Sequence, residues 1–136
     1  MLEPKRQKYR KQFRGIWRRM AMKGADIAFG TYALKSMEKA WIKDREIEAV
    51  RLVLARATRK NGKFWIRIFP DKPFTKKPPE VTMGAGKGDV SHFVAVITPG
   101  RILFEVEGLP ESVTKEVMKD VAAKLSVTTK LVSKFE

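Results

Sequence analysis

The sequence predicts an α+β fold, a mixed sheet with two helices packed against it. Three observations carry this: two segments with apolar residues at helical spacing, several short alternating or β-branched stretches, and a Pro-Gly pair between two of those stretches. A Pro-Gly turn favours a hairpin, and a hairpin among crossovers argues against a doubly wound parallel sheet. The 136 residues suit one domain with a modest core.

Residues 1–27 read as a basic extension. They interleave Lys and Arg with Tyr9, Phe13, Ile16 and Trp17, and neither the helical nor the strand period dominates. Such a stretch cannot bury enough apolar area to offset its ordering entropy, so it is expected to become ordered on a partner. The single α+β domain is expected over 28–136. Its first strand is predicted over 28–41, where Phe29, Thr31 and Ala33 alternate with Tyr32, Leu34 and Ser36. Asp44 is the expected N-cap of the first helix, with Glu46 favourable in its first turn. Ile47, Val50, Leu54 and Ala57 form one face, while Arg45, Arg51, Arg56, Arg59 and Lys60 lie off it. Asn61–Gly62 is expected to stop the helix, since both residues tolerate the left-handed conformation.

"KFWIRIF" (63–69) alternates and reads as a strand. A long irregular loop is expected over about 70–92, given its prolines, its three glycines and its lysines. "FVAVI" (93–97) and "RILFEVE" (101–107) are predicted to pair as a hairpin across Thr98-Pro99-Gly100. Pro110 opens a second helix whose apolar face is Val113, Val117, Met118, Val121, Ala122 and Leu125. "SVTTKLVSKF" is β-branched and reads as a last strand.

Charge narrows the function. Lys and Arg total 29 against 15 acidic residues, giving a net charge of +14 and a pI near 10.3. Residues 1–23 alone hold nine basic residues and one acidic, whereas 101–136 balance at six and six. A polyanion partner follows: nucleic acid, an anionic membrane or an acidic protein. The absence of cysteine excludes disulfides and thiolate metal sites and suits a reducing compartment. No apolar run has the ~18–20 residues a membrane span needs, and the start reads as a mature N-terminus, not a secretory signal.

"TMGAGKGDV" (82–90) raises the question of a phosphate cradle. A Walker loop requires Ser or Thr after Gly-Lys and a glycine five positions before, but Gly88 follows Lys87 and Val81 stands where the glycine belongs. A dinucleotide loop fails too, because Gly84, Gly86 and Gly88 are evenly spaced and precede a strand. What remains is a glycine loop with Lys87 exposed, flanked by Lys72, Lys76 and Lys77, which is suited to close backbone approach and unselective charge.

Catalysis has little support. His92 is the only histidine, and Glu105 and Glu107 fall on the exposed parity of the expected hairpin, where they should be solvated. Metal-ligand spacing is absent, and no cofactor is expected. Trp41, Trp65 and Phe69 are candidates either for base stacking or for the core. An RNA-binding structural protein leads, with a free RNA- or DNA-binding module second. A membrane-surface protein ranks third, because the basic segment lacks a continuous apolar face.

A resemblance separates these readings. "MLEPKRQKYRKQFRG", "REIEAVR", "GKFWIRIFPDKPFTKKP" and "MGAGKG" followed by "FVAVITPGRILFEV" resemble bacterial and organellar ribosomal protein sixteen of the large subunit. The likeness runs from Met1 to about Phe135 without a large gap, and "WIRIFPDKP" is specific to that family.

The resemblance implies an α/β-hammerhead-like fold and a non-catalytic role in the large subunit, near the entrance for aminoacyl-tRNA. It also implies a cytoplasmic, ribosome-bound location, with an organellar ribosome as the open alternative. The implied partners are large-subunit ribosomal RNA, tRNA and neighbouring ribosomal proteins, with no membrane. Carried over, the ribosomal-RNA-binding residues are Lys5, Arg6, Lys8, Tyr9, Arg10, Lys11, Arg14, Trp17, Arg18 and Arg19. The tRNA-contacting loop comprises Lys76, Lys77, Thr82, Met83, Gly84, Gly86, Lys87 and Gly88. The family usually reads "RMGKGKG", with an arginine that is hydroxylated. Here Thr82 and Ala85 replace that arginine and the first lysine, so the modification is impossible and two charges are missing.

Overall fold

The computed structural model describes residues 3–5, 24–76 and 89–134. Nine elements follow in order: β1 (Tyr32–Ser36), β2 (Ala40–Lys43), α1 (Asp44–Ala57), β3 (Lys63–Ile66), β4 (Lys72–Lys76), β5 (Asp89–Ile97), β6 (Ile102–Glu107), α2 (Glu111–Lys124) and β7 (Thr129–Ser133). The α+β class holds. The expected single mixed sheet is replaced by two antiparallel sheets, ordered β3-β6-β1-β7 and β2-β5-β4.

Several expectations change for identifiable reasons. The strand over 28–41 is two strands. The Ser36 hydroxyl donates to the Glu38 carbonyl at 2.6 Å and the Met37 N–H to Thr128, so the chain turns out of the first sheet before β2 joins the second. The hairpin between 93–97 and 101–107 does not form. The turn is present, with Gly100 at φ +91, but Ser36 and Gly100 exchange backbone hydrogen bonds with the strand neighbourhood (Ser36 N–H to Arg101, Gly100 N–H to Ser36) and draw β6 to β1. β5 pairs instead with β2 and β4. Within the stretch expected as a loop, residues 72–76 form β4 and 89–92 belong to β5; β4 lies at a sheet edge, where Pro73 is tolerated.

α1 matches its predicted face, with Ile47, Val50 and Leu54 fully buried. Its N-cap is Lys43 and not Asp44, and it ends at Ala57, where the Thr58 hydroxyl donates to the Leu54 carbonyl at 2.8 Å. Asn61–Gly62 lies beyond that end. α2 starts after Pro110 as expected and buries Thr114, Met118 and Val121, while Val113 is exposed.

The core collects one face of each sheet around both helices. Leu34, Phe104 and Val106 of the first sheet, Ile42, Ala95 and Ile97 of the second, and Ile47, Val50, Leu54, Met118 and Val121 of the helices form one cluster. Complete burial of a Leu, Ile or Phe side chain is worth roughly 1.5–3 kcal/mol, so this cluster holds the two sheets together.

Candidate nucleic-acid interface

Register determines what the other face of the first sheet presents. Ala33 stands opposite Glu105 and Val132, and Glu105 stands opposite Trp65, so these four residues share the face turned away from Leu34, Phe104 and Ile66. Sequence parity placed Glu105 there correctly but implied a solvated carboxylate. The structure corrects this: Glu105 is 0 % exposed, because residues 24–30 run across that face.

The contacts of this segment are specific. Glu105 Oε1 accepts from the backbone N–H groups of Ala28, Phe29 and Gly30 at 3.1, 2.8 and 2.8 Å. Glu105 Oε2 pairs with the Arg67 guanidinium at 2.6 Å. Burial pushes the Glu105 carboxyl up, and the donors from Gly30, Phe29, Arg67 and Ala28 together outweigh it, holding the group below its ordinary value. Arg67 also donates to the Asp26 carbonyl, Arg101 donates to the Arg67 carbonyl, and the Ile102 N–H donates to Gly24. The Phe29 ring stacks on Trp65 with centroids 5.8 Å apart, and Arg67 lies over Phe29 at 5.5 Å. A Cβ on Gly30 would stand 2.6 Å from the Val106 carbonyl oxygen, so only glycine lets the segment approach this closely.

The second sheet flanks the glycine-containing stretch, which lies outside the described residues. Residues 77–88 join β4 to β5, which pair antiparallel up to Lys76 and Asp89. One face of this sheet presents Trp41, Phe74 and His92 with Lys72. Phe74 meets Trp41 edge-on at 5.8 Å and stacks on His92 at 4.7 Å, and the Lys72 ammonium lies 4.8 Å from the Trp41 ring centre. His92 is thus part of an aromatic stack. Trp41 and Trp65 are half-buried, and Phe69 is 50 % exposed.

Of the expected RNA-binding residues, Lys5 is exposed. Arg6, Lys8, Tyr9, Arg10, Lys11, Arg14, Trp17, Arg18 and Arg19 lie outside the described residues, as do Lys77, Thr82, Met83, Gly84, Gly86, Lys87 and Gly88. Lys76 closes β4. The structure adds exposed cations that were not singled out as contacts: Arg45, Arg56, Arg59, Lys60 and Lys63, none in an ion pair among the described residues. Their signal was present in the helical spacing, which put four of them off the apolar face. Arg51 differs, being held by Glu48.

Among the described residues no group of three or more His, Asp or Glu is placed to hold a metal ion, and no helix is long and apolar enough to cross a membrane. A basic α+β body with Lys72 over the Trp41 ring has the charge and aromatic surface of a protein that meets a polyanion. Residues 4–132 match the family described as Ribosomal protein L16p/L10e, and the chain belongs to that family of structural, non-enzymatic ribosome components. It is 50 % identical over 132 residues to large ribosomal subunit protein uL16 of Parabacteroides distasonis, covering 97 % of this chain and 92 % of the relative. It is 52 % identical over 131 residues to the protein of the same name from Aquifex aeolicus, covering 96 % and 92 %. Identity to large ribosomal subunit protein uL16c of Physcomitrium patens is 49 % over 133 residues, covering 98 % and 96 %.

Proposed function

We propose that this chain is a structural component of the large ribosomal subunit that binds large-subunit ribosomal RNA and neighbouring ribosomal proteins, and contacts tRNA near the aminoacyl site and the peptidyl-transferase centre. Residues 1–27 act as the RNA-binding extension, and 28–136 form a hammerhead-like body carrying the glycine loop of about 70–92. Lys5, Arg6, Lys8, Arg10, Lys11, Arg14, Arg18 and Arg19 neutralise phosphates and release counterions, while Tyr9 and Trp17 stack on bases. Lys76, Lys77, Thr82, Met83, Gly84, Gly86, Lys87 and Gly88 meet tRNA through backbone groups and three lysine charges. The protein works on the ribosome, in the cytoplasm or in an organelle, without a cofactor.

Membership of the ribosomal family over nearly the whole chain is the observation that carries this reading. Sedimentation of the tagged chain from a lysate in magnesium, with and without a high-salt wash, tests it. Co-migration with large subunits through the wash is the expected result. A chain that stays at the top of the gradient is instead a free RNA- or DNA-binding module.

A further inference from the structure

We propose that Glu105 and Arg67 are positioning residues for RNA binding: they form a mount that fixes the root of the basic extension on the first sheet and so sets the direction in which the extension meets RNA. The inference rests on the reading that residues 1–27 bind RNA. Three consecutive backbone N–H groups, from Ala28, Phe29 and Gly30, converge on a single carboxylate oxygen of a fully buried glutamate. One such bond would pin a point, whereas three in succession fix the path of the chain. The network then runs toward the basic residues, from Arg67 to the Asp26 carbonyl and from Ile102 to Gly24, the neighbour of the 1–23 stretch.

A staple serving the fold alone has no need of this course. Ala33 and Val132 offer that face an apolar surface that any short apolar segment would cover without burying a charge. Burying Glu105 is tolerated because its charge is shared among an arginine and three amides, and what that arrangement adds is direction. A highly charged segment that becomes ordered on its partner loses conformational freedom there, and fixing one end in advance lowers that cost. Glycine at position 30 is part of the device, since a side chain there would lift the segment off Val106.

The test uses the full chain. The sequence has no cysteine, so Gln12→Cys gives a single attachment point for an iron chelate that cleaves nearby RNA in reconstituted large subunits. In an otherwise unchanged body the cleavage should be confined to a few adjacent nucleotides. With Glu105→Gln it should weaken at least threefold and spread, while Val50→Ala, a core change compared at matched thermal destabilisation, keeps the confined pattern. Hydrogen exchange on the free protein supplies the second readout. Glu105→Gln should accelerate exchange of the amides of Ala28, Phe29 and Gly30 by tenfold or more beyond any change in α1 and α2, whose amides follow the global stability alone. If Glu105→Gln does not fold, Glu105→Asp, which withdraws the carboxylate from the three amides by one methylene, takes its place with the same expectations.

Equal exchange of those three amides in variant and parent overturns the mount. Faster exchange with an unchanged cleavage pattern overturns its positioning role. If the parent chain itself gives no RNA cleavage, the ribosomal reading fails and the positioning role fails with it, while the exchange experiment still decides whether the mount exists.

Discussion

The backbones of Gly62 and Gly108 lie against each other at one end of the first sheet, so close that a Cβ on Gly108 would stand 2.6 Å from the Gly62 Cα. Both residues adopt positive φ, +98 and +85. The contact closes the ladder in which Lys63 faces Glu107.

Gly108→Ala therefore combines an unfavourable backbone conformation with a clash against main chain that cannot rotate away. A loss of about 2–4 kcal/mol is expected. Chemical denaturation should show the midpoint falling at unchanged slope. A change within about 0.5 kcal/mol, the range of ordinary surface substitutions, would contradict the geometry.

Leu52 and Leu54 separate packing from composition on a single helix. Leu54 is 0 % exposed and Leu52 is 54 % exposed. Leu54→Ala should cost about 2–5 kcal/mol, and Leu52→Ala should stay within about 0.5 kcal/mol. Parallel thermal melts of the two variants check this.

Glu105 gives the stability a defined acid dependence. Its folded-state value lies below the unfolded one, so its contribution is complete above the ordinary glutamate value of about 4.3 and is lost as pH falls through the lower folded value. At pH 7, Glu105→Gln should cost about 2–4 kcal/mol, since it leaves Arg67 without its anion. The gap between parent and variant should narrow steadily below about pH 4. Melting curves from pH 7 to pH 3 measure it, and a gap that widens toward acid has the wrong sign for this mechanism.

Removal of residues 1–20 takes away eight basic residues and leaves Gly24 in place, where its carbonyl accepts from Ile102 at 2.7 Å. The truncated chain should keep its far-ultraviolet circular dichroism and its cooperative melt, yet fail to enter large subunits. Its affinity for ribosomal RNA should also fall less steeply with salt, because fewer phosphates are neutralised. Normal incorporation would refute the assignment of binding to the extension.

Thr82→Arg restores one of the two charges that the loop lacks relative to the usual family pattern. Tighter tRNA binding in the aminoacyl site of reconstituted ribosomes is expected, by about threefold to tenfold for one added phosphate contact. Filter binding at two salt concentrations measures it, and unchanged affinity would count against a tRNA contact at this position.

Local patterns carried the helices and the last strand, because each rests on spacing within a dozen residues. Ile47, Val50 and Leu54 are legible in this way, and so is Pro110 as a helix start. Pairing partners were not legible. Val94 and Ile102 read as two arms of one hairpin, yet β1 competes for β6, and that competition involves residues about seventy positions upstream. Glu105 shows the same limit in the site. Alternation gave its face correctly, but nothing near it in sequence announced that Phe29 and Gly30 would cover it. Among the described residues the exposed cations of α1 were visible as a pattern, and only the fold showed that Glu48 holds Arg51 while Arg45 and Arg56 stay open.

The place of β1 between β6 and β7 also governs the order in which the chain can acquire its shape. Tyr32 pairs with Ser133, a separation of about a hundred residues, so the first sheet cannot close until the far end of the sequence is available. The second sheet draws only on residues 40–97. During synthesis, β2, β4, β5 and α1 can therefore come together while β6, α2 and β7 are still to be made. The residues that receive Phe29 and Gly30, namely Trp65, Glu105 and Val106, lie in β3 and β6, so the root of the basic stretch gains its anchor only after every strand of the second sheet has been made.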